Sequence, residues 1–262
     1  MAGAVDIALT LVVPCYNEAQ RIDMGAFRDF LSKEPSVSVI FVDDGSTDGT
    51  RELLERFASQ FVSRACVHVQ PANAGKGEAV RAGLLRARAA GADVVGFWDA
   101  DLSTPLDAVA DLLDVLRTRP EIDWVFGSRV RLLGRDIERR AVRHYVGRIF
   151  ATAASLTLSM PIYDTQCGAK LFRATGELDT VLKRPFVSRW IFDVEMISRF
   201  AHERNRIGDV PAVGAIYEFP LARWADIGDS KVRGLDFLRA FMDLAKLWRI
   251  RARTPRRLLF PP

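Results

Sequence analysis

Two carboxylates stand one residue apart in "FWDADLSTPLDAV", Phe97 to Val109, directly after the apolar run Val94 to Trp98. Like charges this close at the end of a buried strand both stay ionised only if a cation or several hydrogen-bond donors share the site. Helix capping is the competing use of acids. The segment offers it, with Thr104 as an oxygen cap, Pro105 in the first turn and Asp107 at the third position. That arrangement consumes Thr104 and Asp107 and leaves Asp99 and Asp101 unassigned. An isolated Asp-x-Asp is common, so the rest of the chain decides its meaning.

Other polar segments follow apolar runs in the same way. "PCYNEAQRI" offers Pro14, Tyr16, Asn17 and Glu18, a rigid flat surface beside polar groups that suits a base or ribose. "DDGSTDGT" offers Asp43 and Asp44 as acceptors for ring N–H or ribose hydroxyls, while Asp48 reads equally as a helix cap. Gly75-Lys76-Gly77 leads into a helix with backbone N–H groups and a cation, which suits phosphate, or else is a capped turn with a solvated lysine. No Gly-x-Gly-x-x-Gly follows the first apolar run, and no Gly-x-x-x-x-Gly-Lys-Ser/Thr occurs in the chain. Hydride transfer and P-loop hydrolysis therefore recede.

The elements that must position these groups alternate. Strand-like runs at Ile7 to Val13, Val37 to Val42, Cys66 to Val69, Val94 to Trp98 and Trp124 to Phe126 are separated by helical stretches around Phe27, Leu53, Val80 and Leu112. This pattern predicts an α/β fold with a mostly parallel central sheet flanked by helices, and ligands gather at the carboxyl ends of such strands. The second half adds helical periodicity at Arg139 to Leu158 and Asp193 to Ala201, a strand at Gly214 to Leu221 and a helix from Gly234 to Trp248. The expectation is a single domain over 1–262. It comprises a first half at about 7–130, a second half at about 131–250 and a basic tail at 251–262.

Nearly half of the 262 residues are hydrophobic, enough for a substantial core, and no apolar run approaches the ~20 residues of a spanning helix. With no basic leader before Tyr16, the expectation is a cytoplasmic protein. Cys15, Cys66 and Cys167 lack metal-type spacing and read as buried free thiols. The net charge of +4 is unevenly spread: Arg129, Arg131, Arg135, Arg139, Arg140, Arg143 and Arg148 crowd one segment, and five further arginines lie between Arg249 and Arg257. Anionic partners fit this distribution. Nucleic acid is discounted because no recognition module with stacking aromatics accompanies the charge.

In order, "VVPCYNEAQRI", "VDDGSTDGT", "NAGKGEAVRAG", "DADLSTP", "GSR" and "DTQCGAKLF" resemble the family 2 glycosyltransferases of GT-A fold. Within them the chain is most similar to the dolichyl- or polyprenyl-phosphate glucosyltransferase and mannosyltransferase group. "RWIFDVEMI" and "ARWADIGDSKV" extend the likeness, with "IGDSK" where the glucosyl branch usually has "IPGSK". The resemblance implies that Pro14, Tyr16, Glu18, Asp43 and Asp44 hold a nucleoside, with Lys76 near the nucleotide. It further implies that Asp99 and Asp101 engage the donor diphosphate through Mg2+ or Mn2+, and that Arg129 and Lys231 neutralise phosphate.

The expected activity is inverting transfer of a hexose, with glucose from UDP-glucose favoured, onto a polyprenyl phosphate at the cytoplasmic face of a membrane. The GDP-mannose version is the nearest rival. The acceptor side would use the charge of Arg131, Arg135, Arg139 and Arg143. An apolar stripe at Val142, Tyr145, Val146, Ile149, Phe150 and Ala153 suits a peripheral membrane contact or simple core packing. A hydroxyl acceptor would instead require a base, for which Asp164, Asp193 and Glu195 are the available carboxylates. A catalytically silent nucleotide-sugar-binding protein is the remaining alternative.

Overall fold

The computed structural model describes residues 7–138, 141–207, 211–227 and 234–252. Its first half winds as β1 (Leu9–Cys15), α1 (Met24–Lys33), β2 (Val37–Asp43), α2 (Thr50–Ala58), β3 (Ala65–Val69), α3 (Lys76–Ala89), β4 (Val94–Trp98), α4 (Ala108–Thr118) and β5 (Trp124–Ser128). The second half contributes β6 (Asp136–Glu138), α5 (Ala141–Leu158), β7 (Ala169–Arg173), α6 (Gly176–Leu182), α7 (Phe192–Ile207), β8 (Ile216–Pro220), β9 (Arg223–Ala225) and α8 (Gly234–Ala252).

One sheet runs β3-β2-β1-β4-β7-β5-β8, and β6 and β9 form a separate two-stranded parallel pair. Within the large sheet β1, β2, β3 and β4 are parallel, as are β5 and β8, while β7 is antiparallel to both β4 and β5. The expected mostly parallel sheet is therefore present, and every predicted strand of the first half forms. The sequence did not announce β7. Its centre carries Lys170, which reads as a polar break, yet this side chain is only 2% exposed.

The central strands are buried on both faces, as their continuous apolar sequences require. Phe97, Trp124, Phe126 and Phe172 point to one side, under Phe192 and Phe200 of α7. Val13, Phe41, Trp98 and Val125 point to the other, under α1 and α4. The stripe expected on α5 divides accordingly: Phe150 is buried in the core, whereas Tyr145 and Ile149 face outward. Helix α4 starts later than its sequence signature suggests. Asp107 occupies the cap position without a side-chain cap bond, and the Thr104 carbonyl accepts a hydrogen bond from Trp98 Nε1 instead. Among the described residues no helix is long and apolar enough to cross a membrane.

Candidate active site

The carboxyl ends of β1, β2, β4 and β5 open on a cavity of about 670 Å³ whose wall includes Pro14, Tyr16, Glu18, Asp44, Lys76, Asp99, Asp101, Arg129 and Asp164. Backbone strain marks the Asp-x-Asp turn. Leu102 has φ +53°, an uncommon conformation for a branched residue, and functional sites are where such strain accumulates. The turn is held from three sides: Asp99 N–H donates to Gly168 O at 3.0 Å, Ser103 N–H to Asp101 Oδ1 at 3.0 Å, and Ala225 N–H to Ser103 O at 3.1 Å. Gly168 leaves room for the Asp99 carboxylate in this position, since a Cβ there would lie 1.9 Å from its Oδ2 and the side chain would have to move.

Each acid of the pair faces a protein cation. Lys76 Nζ lies 2.5 Å from Asp99 Oδ1, and Arg21 Nη2 lies 3.7 Å from Asp101 Oδ2, beyond hydrogen-bond distance. Partial burial works against the Lys76 ammonium, but Asp99 and Asp193 outweigh it and hold its pKa above the ordinary lysine value. Both carboxylates keep about a quarter to a third of their side-chain surface open, at 30% and 27%. Among the described residues no third His, Cys, Asp or Glu joins them. Two hard oxygen donors at an open wall fit Mg2+ or Mn2+, ions that draw their remaining ligands from water and a diphosphate. They do not fit a site closed by protein ligands alone.

The neighbouring loops are tied to one another. Asn17 Oδ1 accepts from Thr47 N–H at 2.8 Å, and Thr50 Oγ1 accepts from Glu18 N–H at 2.8 Å. Asp48 bridges the same two loops, accepting from Ala19 N–H and from Thr50 N–H, although Gly49 occupies the cap position of α2. Asp44 accepts Ala74 N–H at 2.8 Å and Gly75 N–H at 2.9 Å. Burial raises its pKa above the ordinary carboxylate value despite these bonds. Asp43 lies just beneath the cavity wall, 1% exposed, and accepts Ser46 N–H.

On the opposite wall the connections run between side chains. Arg129 makes a two-pronged pair with Asp164, Nε to Oδ2 at 2.6 Å and Nη2 to Oδ1 at 2.7 Å, and its guanidinium lies over Trp224. Burial opposes the charge on Arg129, but Asp164 outweighs it and holds the pKa above the usual arginine value. Arg148 stacks 3.7 Å from the ring centre of Tyr163 and donates to its carbonyl. Glu218, on β8, accepts the N–H groups of both Tyr163 and Asp164 at 2.8 Å and so fixes the loop that carries these partners. Arg189 reaches across from the second half to Asn73 Oδ1 at 2.6 Å. Thr165 Oγ1 is buried in the cavity wall and has no hydrogen-bond partner among the described residues.

Of the remaining sequence candidates, Asp193 is 6% exposed and paired with the buried Lys170 at 2.7 Å. Glu195 turns away from the cavity to Arg199 at 2.6 Å and to the N–H groups of Val187 and Ser188. Arg131 and Arg135 are exposed on the loop after β5, and Arg143 falls within α5. Arg139, Arg140 and Lys231 lie outside the described residues, as does the tail from residue 253 onward.

Sequence reasoning assigned no role to Arg189, Asn73, Gly168, Trp224 or Glu218, and counted Arg148 only among the crowded arginines that suit an anionic partner. Arg189 and Gly168 do stand inside "RWIFDVEMI" and "DTQCGAKLF", segments already singled out by resemblance. Glu218 carries no local signal.

Comparison with known proteins agrees with this geometry. A dolichyl-phosphate beta-glucosyltransferase of Drosophila melanogaster is 30% identical over 92% of this chain and 74% of its own length. The one from Saccharomyces cerevisiae is 29% identical over 91% and 73%. Among solved structures, glucosyl-3-phosphoglycerate synthase from Mycobacterium tuberculosis, in complex with Mn2+, UDP and glucosyl-3-phosphoglycerate, is 25% identical. It superposes with a TM-score of 0.62 over 96% of this chain and 82% of that one. The family model for glycosyl transferase family 2 matches residues 10–176, a span that holds both tied loops, the Asp-x-Asp turn and β7; the chain belongs to that family of nucleotide-sugar-dependent glycosyltransferases.

Proposed function

We propose that the protein transfers glucose from UDP-glucose to a polyprenyl phosphate of the dolichyl type, working peripherally at the cytoplasmic face of a membrane. The observation that carries this reading is the state of the candidate bases. Asp164 is held by Arg129, Asp193 by Lys170, and Glu195 by Arg199 and two backbone N–H groups. A sugar or lipid hydroxyl must lose a proton as it attacks, which a free base within reach provides. A phosphomonoester has its second pKa near ~6 and is already largely anionic at neutral pH, so it needs positive charge rather than a base. Arg129, Arg148 and Arg189 line the cavity and supply that charge.

In this reading Pro14, Tyr16, Glu18 and Asp44 hold the nucleoside, with Asp43 supporting their loop from below. Asp99 and Asp101 hold Mg2+ or Mn2+, which when bound neutralises the leaving diphosphate where charge develops. Lys76 supplies a further cation beside the same diphosphate. The phosphate oxygen of the acceptor attacks the anomeric carbon from the face opposite the departing nucleotide, which inverts the centre. The relatives are named as beta-glucosyltransferases acting on dolichyl phosphate, which supports both the inversion and the two substrates.

The structural neighbour supports a second reading, because its acceptor product is a small phosphorylated acid. Turnover of UDP-glucose and GDP-mannose with polyprenyl phosphate, polyprenyl alcohol and 3-phosphoglycerate separates the possibilities. Expected is turnover with UDP-glucose and the lipid phosphate alone. Equal use of the alcohol, or exclusive use of 3-phosphoglycerate, would overturn the lipid-phosphate acceptor.

A further inference from the structure

The segment between β5 and β6 holds two leucines in a position that neither packing nor the catalytic cavity accounts for. Leu133 is fully exposed and Leu132 half exposed, at a turn closed by Arg135 N–H donating to Leu132 O at 3.1 Å, with Gly134 at φ +78°. Exposed arginines, Arg131 and Arg135, flank them on both sides. Both ends of the segment are fixed at the cavity. Arg129 lines it on one side, and on the other Asp136 N–H donates to Ala222 O and Ile137 pairs in register with Trp224, itself a lining residue. The turn therefore stands at the lip of the cavity.

We propose that this loop is a bilayer anchor, Leu132 and Leu133 entering the interfacial region of an anionic membrane while Arg131 and Arg135 meet its headgroups. The inference rests on the lipid-phosphate reading and adds the place where membrane and cavity meet. An apolar tip between basic residues matches the two forces at such an interface, burial of hydrocarbon and attraction to acidic lipid. A protein partner of ordinary acidic surface would match the charge of this segment but leave the leucines wet. Anchoring at this point brings the lipid phosphate to the cavity lip and leaves the polyprenyl chain in the bilayer.

The test compares wild type with Leu132→Ser/Leu133→Ser in co-sedimentation with phosphatidylcholine vesicles with and without phosphatidylglycerol. In parallel, turnover is measured with a water-soluble short-chain prenyl phosphate. Expected are binding of wild type that strengthens with acidic lipid, by about fivefold per basic residue at the interface, and a loss of at least about tenfold in the double variant. Turnover of the short-chain acceptor should be unchanged.

Equal vesicle binding by wild type and variant, or none by wild type, would overturn the anchor. So would a variant that merely converts a dimer to monomer in sedimentation velocity, which would make the loop a contact between copies. A variant that loses short-chain turnover would place the leucines in the catalytic machinery, which also overturns it. Failure of the lipid-phosphate reading is separately visible, as absent turnover of the short-chain phosphate by wild type.

Discussion

At the end of the cavity walled by Pro14, Tyr16 and Asp44, side-chain oxygens of Asn17, Asp44, Asp48 and Thr50 accept from backbone N–H groups of neighbouring loops. At the opposite end, charged side chains pair with one another or stack on rings, as in Arg129 with Asp164 and Trp224, and Arg148 with Tyr163. The first kind of fastening fixes the backbone before any ligand arrives and survives the loss of one member. The second stores its precision in a few ion pairs, where removing one partner leaves a buried charge uncompensated. A site built this way has a preformed half and a half that depends on charge.

The comparison is broken most severely where the two ends meet. Asp101→Asn is nearly isosteric but removes charge, and should lower transfer by about a thousandfold, the scale of losing a preorganised electrostatic contact. Chelation of divalent ions should mimic it, with thermal melting unchanged. Full activity in excess chelator would remove the metal from the account.

Next comes the charge-dependent end alone. Arg129→Lys cannot reproduce the two-pronged pair and should cost about a hundredfold in turnover, with a melting decrease in keeping with the ~3–5 kcal/mol of a broken buried pair. Nucleotide affinity by calorimetry should stay within about twofold. A matching loss of nucleotide affinity would show that the two ends are not separable.

Asp193→Asn sharpens the same point. Because its carboxylate is committed to Lys170, the rate measured below the melting temperature should fall by only about tenfold, under the 10²–10⁴ range of general-base loss. A collapse within that range would make Asp193 the base and restore the hydroxyl acceptor.

At the preformed end the expected effects are smaller. Asp44 has a raised pKa because of burial, and only its ionised form accepts both Ala74 and Gly75 N–H groups. Nucleotide affinity should therefore fall as pH drops through that raised value, at less acidic pH than an ordinary carboxylate would give, and Asp44→Asn should flatten this dependence. Folding linkage has the opposite sign. A raised folded-state value means that the folded protein binds the proton more tightly, so Asp44's contribution to stability is greatest at low pH and declines as pH rises. Affinity, measured by calorimetry across the acid range, is thus the discriminating readout. Asn17→Ala removes one acceptor from a loop held by several bonds, and should raise the KM for donor by no more than about fivefold, the equivalent of ~1 kcal/mol. An Asn17→Ala defect as large as that of Arg129→Lys would erase the contrast between the two ends.

The same contrast explains what was legible in the sequence. Loops at the preformed end are read from contiguous segments, because Asp43 to Thr50 or Gly75 to Gly77 contain their own turn chemistry. Asp99 and Asp101 were visible for the same reason. Arg148, Arg189 and Glu218 act on partners that lie 15, 116 and 54 or 55 positions away, and nothing adjacent to them names those partners. Asp164 and Glu195 were legible as carboxylates but not as occupied ones, since occupation is a property of the folded neighbourhood. Strand β7 escaped because Lys170 interrupts its apolar pattern. The Lys170 ammonium donates to the nearby Cys167 carbonyl, but it is also satisfied by Asp193 and lies over the rings of Phe97 and Phe126, contacts that no local window contains.

The position of β7 bears on how the chain can be assembled. Strand β5 lies between β7 and β8, both of which are made later, and β4 finds its second neighbour only in β7. A nascent chain that has emerged as far as Ser128 can pair β3, β2, β1 and β4, but it has no seat for β5 and leaves the β4 edge open. Closure waits for residues 169–173 to thread between the two strands, a pairing of high sequence separation of the kind that slows folding. A fragment ending at Ser128 should accordingly aggregate through that exposed apolar edge, whereas extension through Arg173 supplies the missing strand.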